Sequence, residues 1–145
     1  MFSPIATLIV GLIVGYIAWQ QWQVSKAKLR LDLFDRRYKV YDATRKFLAV
    51  IMREATFSDS QLFEFYAGTS DAEFLFDADI VDYLSQITKH AIDMRSIHAR
   101  YQSLPIGDER SKQCDAEQEH LLWLTRQITA STKTFSRYLS FSNVR

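Results

Sequence analysis

Apolar residues fill the start of the chain without a break and fall into stripes after it. From Ile5 to Trp22 (IATLIVGLIVGYIAWQQW) nearly every position is apolar, and Met1 to Ser25 contain no Asp, Glu, Lys, Arg or His. At 1.5 Å per residue, roughly 18 to 20 helical residues rise about 30 Å, the thickness of a bilayer hydrocarbon core. Tyr16, Trp19 and Trp22 gather at one end, where amphipathic rings prefer the headgroup boundary, and Gln20, Gln21 and Gln23 follow into water. This pattern predicts a membrane-spanning helix. A cleaved signal peptide fits less well, because no basic residue precedes the apolar run and bulky WQQWQ follows it. A buried core helix would have to hide an all-round apolar surface inside a small remaining domain.

Downstream, the apolar positions return at helical spacing. No Gly or Pro interrupts the chain between Tyr16 and Ala67, so the first helix is expected to run on. Phe34, Tyr41, Leu48 and Ala55 recur every seven residues, Leu31, Tyr38 and Met52 lie on an adjacent row, and Leu33, Val40 and Phe47 widen the stripe. Ser58 with Gln61 has the form of a capping box, predicting a short helix that ends at Gly68 with Phe63, Phe65 and Tyr66 in the core. Asp71 or Asp77 is placed to cap the next helix. Its stripe is Ile80, Leu84, Ile87, Ala91, Met94, His98 and Tyr101. After the turn Pro105-Ile-Gly-Asp108, a last helix carries Cys114, Leu121, Leu124, Ile128, Phe135 and Tyr138 or Leu139 on one face. The fold class is therefore all-α: a membrane anchor over residues 1–25 continuing into a cytosolic antiparallel helical bundle over residues 26–145.

Charge sharpens this division. Mean hydropathy is −0.16 and net charge +1, values of an ordinary soluble domain, yet every charged side chain lies beyond residue 25. Residues 26–53 carry nine basic and three acidic groups, residues 54–93 one basic and nine acidic, and residues 94–145 eight basic and five acidic. The basic block adjoins the span, so the positive-inside rule puts the N-terminus outside and the bundle in the cytoplasm. Lys26, Lys28 and Arg30 then sit beside anionic headgroups. Near-zero net charge argues against nucleic acid as a partner, and one cysteine excludes a disulfide framework.

Within the span, Ser3, Thr7, Gly11 and Gly15 repeat every four residues, so one helix face carries small side chains, including a GxxxG. Such a face lets a second backbone approach closely, and Thr7, Gly11 and Gly15 are the candidate association residues. The same spacing also arises by chance in membrane helices.

Candidate chemistry is sparse. There is no HExxH or CxxC, and a single Glu117-Gln-Glu-His120 lacks the second ExxH that a di-iron bundle needs, so it reads as a solvated polar face. Cys114 and His98 are imaginable as a nucleophilic pair, but both fall on the apolar stripe and read first as packing residues. Asp77, Asp79 and Asp82, with Glu73 nearby, form an acidic cluster whose plainer role is to cap a helix start. No catalytic, cofactor or metal residue is assigned.

Two stretches carry a resemblance. Leu31 to Leu48 (LDLFDRRYKVYDATRKFL) and Ala72 to Leu84 (AEFLFDADIVDYL) resemble motifs of a group of small bacterial membrane proteins with one N-terminal span and a helical cytosolic part. The resemblance implies that architecture and a bacterial inner-membrane location, and brings no catalytic residues. Within the first motif, Asp32–Arg36 and Asp35–Lys39 are spaced as i,i+4 ion pairs. Between the motifs, Arg36 or Arg37 is a candidate ion-pair partner for Asp77 or Asp79. The reading is a non-enzymatic, membrane-anchored interaction protein that self-associates, with lipid, a second copy and an unidentified protein as partners. An oligomeric, pore-like effector in antiviral or stress response, and a membrane-tethered enzyme using the acidic cluster, are the alternatives.

Overall fold

A 51-residue stretch with no proline after its first residue and no glycine after Gly15 forms one helix, α1 (Pro4–Glu54), with Pro4 at its start, where a missing N–H costs nothing. The computed structural model describes residues 4–140; Ser3, the first member of the small-residue face, lies outside them. Four further helices follow: α2 (Asp59–Thr69), α3 (Ala72–Leu75), α4 (Ala78–Tyr101) and α5 (Asp108–Ser136). The described residues contain no strand. The chain divides into two compact units, residues 1–35 and residues 36–145.

The first unit is helix alone. It holds a window long and apolar enough to cross a membrane by length and composition, none of it buried among the described residues.

The second unit is a helical bundle, and the C-terminal part of α1 packs into it through Val40, Tyr41, Thr44, Phe47, Leu48 and Ile51. Val40, Tyr41, Phe47 and Leu48 lie inward as expected, while Thr44 and Ile51 take the place of the outer rows of the expected stripe. Leu31, Tyr38 and Met52 are exposed and Phe34 is half-buried, because the three- and four-residue steps through Val40, Thr44, Phe47 and Ile51 set the inward face. Thr44 is tolerated there because its hydroxyl donates to the Val40 carbonyl at 2.8 Å. Among the described residues neither of the expected i,i+4 pairs, Asp32–Arg36 and Asp35–Lys39, is an ion pair. The i,i+4 pair that closes on α1 is Asp42–Lys46, at 2.6 Å. Exposed pairs gain little in water against the side-chain entropy they lose.

Ala55 ends α1 in the left-handed region, at φ 53°, a conformation that costs a non-glycine residue roughly 1 kcal/mol. The capping box then opens α2 as expected, with the Ser58 hydroxyl accepting from Gln61 N–H and the Gln61 side chain accepting from Ser58 N–H. Gly68 does not terminate α2. It sits inside the helix, and a Cβ placed there would come within 2.5 Å of Ala43 Cβ, so glycine is needed for the close approach of α2 to α1. Phe65 is buried and stacks on Phe47 at 4.6 Å, whereas Phe63 and Tyr66 face outward, contrary to expectation.

The helix α4 buries Ile80, Leu84, Ile87, Ala91 and Met94 of the stripe read from the sequence, while His98 and Tyr101 at its end are half-buried. It runs antiparallel to α5, as the cross-contacts Tyr83 to Gln127 and His98 to Glu117 require. Leu124, Phe135 and Tyr138 are buried from the α5 end, but Cys114 is exposed and is not the packing residue expected.

Candidate functional site

The two sequence motifs meet at the C-terminal end of α5. Phe76, from the second motif, sets its ring edge-on to Phe135 at 5.4 Å and to Tyr138 at 5.2 Å, and Tyr41 from the first motif lies 5.4 Å from Phe135. Burial of these rings brings polar groups with them. Arg37 Nε donates to the Leu75 carbonyl at 3.0 Å, and its Nη1 donates to the Tyr138 carbonyl at 3.3 Å. Carbonyls at the ends of α3 and α5 lack helical partners, so a guanidinium fork satisfies both at once.

The carboxylates are engaged elsewhere. Tyr138 hydroxyl lies 2.8 Å from Asp77 and 2.7 Å from Asp79, and Arg137 donates to Asp79 and to the Tyr138 hydroxyl. The Tyr138 hydrogen bond, together with the Arg137 charge, holds the Asp79 carboxyl below its ordinary range. Burial, then the two carboxylates, push the Tyr138 hydroxyl up. Among the described residues neither Arg36 nor Arg37 forms an ion pair with Asp77 or Asp79. The motifs are neighbours, but the bond between them runs from guanidinium to carbonyl. Asp77 occupies the N-cap of α4 without a side-chain cap bond, since its carboxylate is turned to Tyr138.

A second polar layer lies between α4 and α5. His90 Nδ1 faces His120 Nδ1 at 2.9 Å, and the His90 ring stacks on Trp123 at 3.8 Å. One nitrogen must carry a proton and the other must not, so the pair closes only while at least one ring is neutral. Desolvation, and next the neighbouring His120, lower the His90 pKa. Two turns further along α4, His98 Nδ1 meets Glu117 at 2.8 Å and the Tyr101 hydroxyl at 3.1 Å, while its Nε2 meets the Gln102 amide at 2.7 Å. A neutral imidazole protonated at Nδ1 satisfies both the carboxylate and the amide. Burial is the main cause that raises the Tyr101 pKa, with Glu117 adding to it.

The Glu117–His120 spacing therefore carries the α4–α5 contact and is not a purely solvated face. Sequence reading missed this because its two partners, His98 and His90, lie eight residues apart on another helix. No spacing in the sequence pairs them, since eight residues rise about 12 Å along a helix and three rise about 4.5 Å.

Next to this layer is a cleft of about 380 Å³, bordered by Glu54, Thr56, His98, Tyr101, Cys114 and Glu117. Among the described residues no hydrogen bond joins Cys114 to His98, whose two ring nitrogens are committed. No group of three or more His, Cys, Asp or Glu converges to hold a metal among the described residues, and the His90–His120 pair offers two nitrogens.

Comparison with protein-family models, curated proteins and solved structures finds no match to this chain. Function must be read from the residues.

On α1, Thr7, Gly11 and Gly15 are exposed, and a Cβ at either glycine would meet no atom within 4 Å. Lys26, Lys28 and Arg30 are exposed as well, with the Lys26 ammonium 3.4 Å from the Trp22 ring centroid. One helical turn separates these two, so the ring and the cation occupy one face where the apolar run gives way to charge.

Proposed function

We propose that this chain is a non-enzymatic, membrane-anchored interaction protein that self-associates through its membrane helix and its bundle. The observation that carries this reading is the apolar window of α1, none of which is buried among the described residues. An apolar surface of that length must be taken up by lipid, by another protein, or by both. The N-terminus lies outside and residues 26–145 lie in the bacterial cytoplasm, with Lys26, Lys28 and Arg30 beside anionic headgroups. Thr7, Gly11 and Gly15 supply a face on which a second helix can approach. The polar groups of the bundle support a binding role over an enzymatic one, since Arg37, Asp77, Asp79 and His98 are all engaged by their own chain.

Cross-linking in native membranes tests the reading. The expected result is recovery of the full chain in the membrane fraction as a covalent oligomer. A strictly monomeric chain would remove self-association, and recovery in the soluble fraction would remove the anchor.

A further inference from the structure

Among the described residues, the part of the first unit beyond the apolar run leaves Val24, Leu29 and Leu31 exposed. Val24 is 64% exposed and Leu31 is 51% exposed, and both lie past the last tryptophan of the span, among Lys26, Lys28 and Arg30. They are seven residues apart, and the same step taken backward reaches Ile17 and Val10. Three residues after these four positions stand Ile13, Gln20, Ala27 and Phe34, the last of them half-buried. Alternating steps of three and four are the seam of a coiled coil, and here the seam runs from inside the apolar stretch out into the charged one.

We infer that α1 pairs along this seam with a second copy of the chain as a parallel two-stranded coiled coil, closed by Arg30 of each copy against Asp35 of the other. The inference rests on the self-association proposed above and gives it a surface and a register. Copies inserted with the same topology run parallel, so each seam residue meets its own counterpart. Val10, Ile17 and Val24 are β-branched at the first seam position, as in two-stranded coiled coils, while Ile13, Gln20 and Ala27 stand where those coils carry leucine. Gln20 meets Gln20 near the membrane boundary, where an amide pair fixes register.

Charge argues for the same partner. Arg30 and Asp35 flank the seam on opposite sides, five residues apart, the separation at which flanking residues of parallel partners face each other. Among the described residues neither forms an ion pair within its own chain, whereas Asp42 on the same helix pairs with Lys46. Gly15 lies about 160° round the helix from Ile17, but Gly11 is about 100° and Thr7 about 60° from Val10, so the small-residue face borders the seam.

Disulfide trapping of the full chain in membranes tests this, in a Cys114→Ser background with one new cysteine at a time. Val24→Cys, Ala27→Cys and Leu31→Cys are expected to form dimers on oxidation, with Leu29→Cys, on the opposite face, trapping several-fold less. Arg30→Asp and Asp35→Arg should each weaken dimerisation by roughly threefold to tenfold, and the two together should restore it. Equal trapping at position 29, or failure of the double reversal to restore, overturns the seam. If an amine-reactive cross-linker captures dimers that the seam cysteines do not, the seam is wrong and self-association stands. If neither reagent captures a dimer, both fall.

Discussion

Replacing Arg37 separates the observed contact between the two motifs from the ion pair their charges suggested. Its guanidinium makes two hydrogen bonds, to the Leu75 and Tyr138 carbonyls, at 3.0 and 3.3 Å, from a half-buried position. A charged hydrogen bond contributes about 1.5–3 kcal/mol when well formed. The longer bond and the solvent exposure discount that, leaving about 2 kcal/mol for the pair. Arg37→Met keeps the apolar stem and should lower stability by that amount, a fall of roughly 8 °C in Tm for a bundle of this size. Arg37→Lys reaches one carbonyl at a time and should lose about half as much. Thermal unfolding of the full chain in detergent, followed by circular dichroism, reads both. Exchanging Arg37 and Asp79 (R37D with D79R) should leave the chain at least as unstable as Arg37→Asp alone, because Asp79 is bound to Tyr138 and Arg137. Recovery of the original Tm by that exchange would refute the carbonyl reading, and so would an Arg37→Lys chain as stable as the parent.

Gly68→Ala should destabilise the bundle by about 1–3 kcal/mol, because the new methyl meets Ala43; adding Ala43→Gly should recover most of the loss, and a stabilised single variant would contradict the close approach. The lowered His90 pKa implies that the folded state takes up its proton at lower pH than the unfolded chain. The α4–α5 contact should therefore be fully stable above about pH 6.5 and weaken as pH falls through the depressed value. His120→Gln should flatten that part of a Tm–pH profile, and an unchanged profile would count against it. Cys114 is exposed, so a maleimide should label it in the folded chain at close to the rate of the unfolded one, and protection by folding would overturn that placement.

Much of the fold was legible because its dominant signals are local. The run without Gly or Pro after Tyr16 predicts the continuation of the first helix, the Ser58–Gln61 pair its own reciprocal bonds, and the spacing of Ile80 to Met94 the inward face of α4. What failed depended on partners far away in sequence. Gly68 looks like a helix end until Ala43 is placed against it. Cys114 shares a helical row with Leu121 and Leu124, yet a row is buried only where another helix covers it, and at Cys114 a cleft opens instead. The same holds for the charges. Sequence spacing suggests pairing Arg37 with Asp79, but it carries no information about unsatisfied carbonyls, and those are what the guanidinium reached.

This bears on where function can lie. The residues that give the two motifs their character (Arg37, Phe76, Asp77 and Asp79) are spent on one another's surroundings and on Tyr138, and a group already bonded within its own chain must break that bond to meet a partner. Their role is to hold the bundle closed at one end. The surfaces with unmet demands are apolar ones: the window of α1, Val24 and Leu31 beyond it, and on the bundle Phe74 and Ile106, 85% and 93% exposed. Burying such residues is favourable by about 1.5–3 kcal/mol each, so what a partner gains here comes from covering surface. A chain built this way is expected to act by what it binds and assembles with, and substitutions that abolish its activity without unfolding it should map to those exposed positions and not to the motif residues.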